Sequence, residues 1–176
     1  MTIRPFRPED LSRVREITVN SFEAVSIDRN IEREFGPVAG KDWQQRKARD
    51  VTTDCEVQPE GVFVAEEAGE VIGYVTTRLD RFSSIGRIPN LAVDERHRGS
   101  GIGSALIEHA LEWMRDHGMA MAKIETLVQN ERGQALYPRF GFREVARQIH
   151  YVMPLGSEGG AFGEIAKARS EEGREG

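Results

Sequence analysis

Apolar positions recur along this chain in two rhythms. At helical spacing, Leu11, Val14 and Ile17 mark a buried face, following a strand at Thr2–Pro5 and a turn at Pro8-Glu9-Asp10. Ile102, Leu106, Ala110 and Trp113 mark a second helix, its stripe widened by Ala105 and Met114. Gly118 is placed to stop that helix, just after Arg115 and His117 near the negative end of its dipole. In runs of strand length, residues 61–67 and 71–80 flank Ala68-Gly69-Glu70 as a hairpin, and Ile85–Val93 follows Ser83-Ser84. Residues 121–128 read as a further strand, 131–140 as a short helix, and 144–146 and 150–153 as closing strands. A helix over about 42–50 rests on good helix formers. Between Ser21 and Ala39 the pattern loosens, and no element is predicted there. The order β-α-α-β-β-β-α-β-α-β-β specifies an α/β (α+β) domain with a mixed, mostly antiparallel central sheet flanked by helices.

Composition narrows the class. A chain of 176 residues, 39% hydrophobic and 30% charged, is long enough for one soluble domain with a proper core. A net charge of −5 and a pI near 5.5 argue against bulk nucleic-acid binding. The single cysteine, Cys55, excludes an internal disulfide and fits a reducing cytoplasm; it lies outside the motifs described below and is expected to be inert. The N-terminus lacks the apolar core of a signal peptide, and no stretch approaches transmembrane length, so no membrane partner is expected. The histidines have no metal-like spacing: His97 reads as a loop residue, His109 and His117 as surface or packing residues. Residues 1–154 form the expected domain, and 155–176, rich in Gly, Glu and Arg, an expected mobile tail with at most a transient helical turn at 161–169.

The chemistry concentrates between the strand ending in Leu91, Ala92 and Val93 and the helix that follows. Arg98, Gly99, Ser100, Gly101, Ile102, Gly103 and Ser104 put several side-chain-free amides at a helix N-terminus. Unpaired N–H groups and the positive dipole end there suit a phosphate. A P-loop would need Gly-Lys-Ser/Thr after four residues, and no lysine follows. A dinucleotide fingerprint needs G-x-G-x-x-G, whereas Gly99, Gly101 and Gly103 give G-x-G-x-G. What remains is R-x-x-G-x-G from Arg98 through Gly101 to Gly103. It resembles the acetyl-CoA pyrophosphate loop of the GNAT superfamily of N-acetyltransferases.

A second motif strengthens that resemblance. Asn130 fits an N-cap, and Tyr137 lies seven residues on, about 10 Å along the same helix face. With Gly133, Gly141 and Phe142, they form N-x-x-[AG]-x-x-x-Y followed by G-F, which looks like the second motif of the same superfamily. The resemblance covers about residues 88–145 and implies the GNAT acyltransferase fold. It implies that backbone groups of Leu91, Ala92 and Val93 bind the acetyl carbonyl and pantetheine amides. It implies that Gly99, Ser100, Gly101, Ile102, Gly103 and Ser104 hold the pyrophosphate with Arg98 at the entrance, that Asn130 binds the pantetheine arm, and that Tyr137 protonates the departing thiolate. N-terminal protein acetyltransferases of the superfamily carry a catalytic Glu at the spacing of Glu125, the candidate base. The other reading of Glu125 is an ion pair with a neighbouring Lys or Arg. Asn90 cannot accept a proton. Two departures stand out: Gly133 replaces the usual Ala and weakens the helix by roughly 1 kcal/mol, and Pro138 interrupts the helix directly after Tyr137.

The function expected from this reading is acetyl-CoA-dependent transfer to a primary amine by direct attack in a ternary complex, with acetyl-CoA as cosubstrate and no metal. The acceptor is an amine-bearing small molecule or a protein N-terminus, as in the ribosomal-protein-type α-amino acetyltransferases. Acids between Glu23 and Glu34 either attract that amine or form a solvated face. A non-catalytic acyl-CoA-binding regulatory module is the other class, and a homodimer stays open.

Overall fold

The computed structural model describes residues 1–155. Its elements are β1 (Thr2–Pro5), α1 (Leu11–Phe22), α2 (Ile27–Phe35), α3 (Trp43–Val57), β2 (Val62–Glu67), β3 (Glu70–Asp80), β4 (Ile85–Val93), α4 (Ile102–Asp116), β5 (Met121–Ile124) and α5 (Glu131–Leu136), with short 3-10 turns between several of them. The five strands lie in the order β1-β2-β3-β4-β5. The first four pair antiparallel, and β4 pairs parallel with β5 after the α4 crossover. The sheet is therefore mixed and mostly antiparallel, as the hydrophobic pattern specifies.

Each face of the sheet has its own core. On one, Val14 and Ile17 of α1 and Val51 and Cys55 of α3 pack on Val62, Val64, Tyr74 and Ala92. On the other, Ile102, Leu106, Ala110 and Met114 of α4 pack on Phe63, Ala65, Ile72, Val75 and Ile88. The wholly buried Tyr74 hydroxyl is satisfied by Thr18 Oγ1 at 2.6 Å. Cys55 sits in the first core, where burial pushes its thiol up to about 12, so it is no nucleophile at neutral pH.

Three boundaries differ from expectation. A helix, α2, occupies part of the stretch where none is predicted. Ser26 caps it by accepting from Asp28 N–H at 3.1 Å, but no residue in it is buried. Its apolar stripe is too thin to read, and charge fixes it instead: Arg46 Nε lies 3.2 Å from Asp28, and Glu32 accepts from Trp43 N–H at 2.5 Å. α3 begins at the Asp42–Gln45 capping box and runs on to Val57, beyond the predicted end at 50. Its second half is rich in β-branched residues, a poor local signal overridden by burial of Val51, Thr52 and Cys55.

The third difference lies at the C-terminal end. β5 stops at Ile124, not 128, and neither 144–146 nor 150–153 is a strand in the described residues. Val145, Ile149 and Tyr151 are exposed by 78–93%, so the alternation there meets no core face. A strand needs a pairing edge and a surface to bury against, and the described chain supplies neither to this segment. The tail assigned to 155–176 and its helical turn at 161–169 fall outside the described residues, apart from Leu155, which is exposed.

Candidate active site

The site forms where β4 loses its second partner. Between the pairs Thr76↔Asn90 and Arg78↔Arg87, Thr77 alone faces both Ile88 and Pro89, so β4 carries one extra residue there. Such a bulge bends the strand and resets its alternation. Ile88, Leu91 and Val93 accordingly pack on the α4 side, while Ala92 faces the other core. Pro89 has no N–H to offer a ladder, and pairing with β5 ends at Ile88↔Ile124. From Pro89 to Val93 the strand keeps β3 on one side and has no strand on the other among the described residues. Strand alternation turns the backbone groups of Ala92 toward Tyr74 of β3, in step with the bond from Asp94 N–H to the Ile72 carbonyl. Of the three residues expected to bind there, only Leu91 and Val93 therefore turn theirs away from β3 and onto a cleft, where the Val93 carbonyl accepts from Ser21 and Arg98.

Beyond Val93 the chain is pinned before it turns. Asp94 accepts from Arg13 of α1 and from the backbone N–H and Nε of Arg96, at 3.0 and 3.1 Å for the latter two. The Arg96 hydrogen bonds, helped by Arg13 and opposed by burial, hold the Asp94 carboxyl well below the usual carboxylate range. Ser100 Oγ donates to the His97 carbonyl at 2.6 Å. Gly99 and Gly101 then take φ of +83° and +87°, the left-handed region that favours glycine. Gly101 is the N-cap of α4, and no side chain caps that helix. The amides of Ile102, Gly103 and Ser104 have no acceptor within it. A Cβ on Gly103 would meet only ordinary contacts, 3.8 Å from Val93 Cγ2 and 4.0 Å from Leu136 Cδ2. The fold thus does not demand a glycine there, and a ligand close to the backbone would. Arg98 lies at the entrance, with Nε 3.3 Å from the Val93 carbonyl and Nη2 3.2 Å from Ser21 Oγ.

Across the cleft, the second motif closes on itself. Asn130 caps α5, its Oδ1 accepting from Gly133 N–H at 3.1 Å while Nδ2 donates to Thr126 Oγ1 at 2.7 Å. Pro138 does not kink a continuous helix: α5 ends at Leu136, and Tyr137–Phe140 forms a 3-10 turn with Pro138 near its start. The Tyr137 side chain folds back over Gly133. A Cβ there would lie 2.6 Å from Asn130 Nδ2 and 2.9 Å from Tyr137 Oη. The amide and phenol separated by about 10 Å of helix rise thus meet at their tips, and Gly133 leaves the room for it. Burial pushes the Tyr137 phenol above its usual value, and its hydrogen bond with Thr126 works against that shift. Thr126, which links the two, went unnoticed in the sequence, although it stands four residues before Asn130.

Glu125 is exposed and pairs with Lys123 at 2.8 Å, which is the alternative role its surroundings suggested. It nevertheless lines a cavity of about 210 Å³ with Arg78, Arg87, Ile88, Pro89 and Lys123. A second cavity, about 320 Å³, shares Arg78 and Pro89 with the first and is otherwise lined by Lys47, Asp50, Thr53, Asp54 and Asn90. There Asn90 accepts from Lys47 Nζ at 2.8 Å and donates to the buried Asp54 at 2.5 Å, and Asp54 also binds Arg78. Burial pushes the Lys47 amine down, and burial together with Asp28 pushes the Asp50 carboxyl up. The sequence reading missed this network. Of the acids between Glu23 and Glu34, Asp28 and Glu32 tie α2 to α3, through Arg46 and the Trp43 N–H. Among the described residues no group of three or more His, Cys, Asp or Glu is placed to hold a metal ion, and no helix is long and apolar enough to cross a membrane.

A strand opened on one edge feeds a glycine turn and an uncapped helix, an arrangement whose free amides suit an anionic ligand. The chain matches the Acetyltransferase (GNAT) family over residues 26–142 and belongs to it. An N-alpha-acetyltransferase of Sulfolobus acidocaldarius is 36% identical over 100 residues, 51% of this chain and 60% of that protein. Ard1 from Thermoplasma volcanium superposes with a TM-score of 0.61 at 26% identity, over 82% of this chain and 84% of that one. The PaiA N-acetyltransferase of Thermoplasma acidophilum, crystallised with coenzyme A, shares the fold with a TM-score of 0.65 at 18% identity, covering 81% of this chain and 89% of that one. The chain spans about three fifths of the length of curated relatives of this kind.

Proposed function

We propose that the protein is an acetyl-CoA-dependent N-acetyltransferase that acts on a primary amine by direct attack in a ternary complex. The observation that carries this reading is the uncapped N-terminus of α4, held by Gly99 and Gly101 at the end of a strand whose outer edge is free. Ile102, Gly103 and Ser104 amides hold the pyrophosphate, with Arg98 swinging from the Val93 carbonyl to meet it. Bound acetyl-CoA supplies a thioester, an acyl group already activated toward amines. Backbone N–H groups of Leu91 and Val93, on the open edge of β4, are fixed before reaction, so they stabilise an oxyanion without reorganisation, while Ala92 pairs with Tyr74 of β3. Asn130 Nδ2 exchanges Thr126 for the cofactor's pantetheine arm.

An amine near pKa 10 is protonated at pH 7 and must lose a proton before it attacks. Glu125, lining the cavity at the foot of the cleft, takes that proton. Tyr137 returns one to the thiolate; its raised pKa keeps the phenol protonated at neutral pH. The single buried cysteine suits a reducing compartment, so we place the reaction in the cytoplasm. The named activity of the archaeal relative favours a protein α-amino group as acceptor over a small amine. Thiol release from acetyl-CoA across amino acids, polyamines and N-terminal peptides tests the reading. Peptide-dependent release supports it in full. Release with small amines alone removes the N-terminal acceptor, and no release with any amine, despite acetyl-CoA binding, leaves a non-catalytic module.

A further inference from the structure

The cavity beside Glu125 has an unusual floor. Arg78 of β3 stands directly opposite Arg87 of β4, and Arg87 stands opposite Lys123 of β5. Three cations thus form one cross-strand row, and all three line the same cavity. Like charges placed opposite one another in a sheet are destabilising. Such a row persists where anions compensate it, and the protein supplies them incompletely. Asp54 binds Arg78 from α3, and Glu125 pairs with Lys123 at 2.8 Å. Arg87 enters no ion pair within 4 Å among the described residues; its charge reaches Asp80 through space, and that carboxylate already accepts from the Phe82 and Ser83 N–H groups. Arg78 also keeps a buried Nε without an acceptor. A buried donor left unpaired in a native fold calls for a partner.

The row lies at the foot of the cleft. Pro89, where β4 and β5 part, shares this cavity, and Leu91 is two residues further on, about 7 Å at the rise of a strand. Arg87 lies four residues before Leu91, about 13 Å at that rise, a span shared between its long side chain and the acceptor. An acceptor whose amine reaches the level of Leu91 therefore extends its next substituents toward the cavity that Arg87 lines. We propose that the acceptor of this enzyme bears a carboxylate a few bonds from its amine, bound by Arg87 with Arg78 and Lys123 at its sides. The inference rests on the acetyltransferase reading and deepens it. Two sources offer this chemistry, an acidic N-terminal peptide and a free amino dicarboxylic acid. The cavity is open to solvent, so the attraction is screened by salt.

The test uses paired probes on the full chain with acetyl-CoA. Ala-Glu-Ala-Ala is compared with Ala-Gln-Ala-Ala and Ala-Lys-Ala-Ala, and free glutamate with glutamine, by kcat/KM and by calorimetric binding to the CoA-loaded protein. The acidic member of at least one set is expected to be favoured by about tenfold or more, equivalent to about 1.4 kcal/mol, and the set that discriminates identifies the source. Arg87→Gln should bring the Glu-to-Gln ratio toward one, and raised salt should do the same in the unaltered protein, so the result does not hinge on how the variant folds. Equal use of Glu and Gln probes, or a preference for Lys, overturns the inference while leaving acetyl transfer intact. Failure to bind acetyl-CoA at all would instead strike the underlying reading.

Discussion

The two walls of the cleft are built from different materials. On the α4 side, the donors are backbone amides, and the side chains that matter are those removed: Gly99, Gly101 and Gly103. On the α3 side and along the foot of the sheet, the site consists of charged side chains: Lys47, Asp54, Arg78, Arg87, Lys123 and Glu125. A backbone wall suits a ligand that every member of a family shares, because amides at a helix end read a phosphate and little else. A wall of side chains can be altered residue by residue without disturbing the turn. On the function proposed above, the cosubstrate belongs to the first wall and acceptor choice to the second.

Breaking the chemistry between the walls should give the largest effect. Tyr137→Phe removes one donor and keeps the ring against Phe142, so kcat measured by thiol release should fall by roughly 10²–10⁴-fold. The fold and acetyl-CoA affinity should stay near those of the unaltered protein. Because burial raises this phenol above its ordinary value, its proton is retained through neutral and mildly alkaline pH, and the alkaline fall in kcat should lie higher than an unperturbed tyrosine would give. An unchanged kcat with a shifted melting temperature would make Tyr137 a packing residue.

Glu125→Gln tests the proton acceptor. Turnover should drop by about 10²-fold at neutral pH, and the deficit should shrink as pH rises and more acceptor is already neutral. Matching pH–rate profiles would move proton removal to water or to a carboxylate of the second cavity, such as Asp50. Gly133→Ala should have a smaller effect, with an informative sign. The helix gains up to about 1 kcal/mol in propensity, yet the new Cβ comes within 3 Å of Asn130 Nδ2 and Tyr137 Oη and must displace them. Activity should therefore fall without loss of melting temperature; full activity would show that the folded-back position of Tyr137 is not the working one. Asp42→Ala, which removes the α3 cap at a residue lining neither cavity, should cost about 1 kcal/mol in denaturant unfolding and leave kcat unaltered.

Legibility in the sequence followed the same division. The glycine wall could be read because its signal is local: three glycines, a preceding strand and an amphipathic helix, all within 28 residues from Leu91 to Gly118. The side-chain wall could not, because its partners are far apart in the chain. Lys47 and Asn90 are separated by 43 positions, Asp54 and Asn90 by 36, and Asp54 and Arg78 by 24. Asn90 has no proton-accepting group of its own, and the buried carboxylate of Asp54 brought beside it by α3 leaves no local trace in the sequence. The cation row was hidden for a related reason, since register across three strands depends on the bulge at Ile88 and Pro89. Alternation misled at 144–146 and 150–153, where the pattern of a strand exists without a partner edge among the described residues.

Calorimetric titration of acetyl-CoA into the unaltered protein and into Gly103→Val tests the backbone wall most directly. Gly101→Val would be a poorer probe, since φ of +87° there strains any side chain whatever the ligand. At Gly103 the Cβ meets only ordinary contacts within the protein, so a loss of binding in a variant whose unliganded melting temperature is kept points to the ligand. Saturable binding to the unaltered protein and its loss in Gly103→Val are expected, with the melting temperature of the unliganded variant little changed. Equal affinity in a folded Gly103→Val protein would contradict it, and the α4 N-terminus would no longer be the cofactor site.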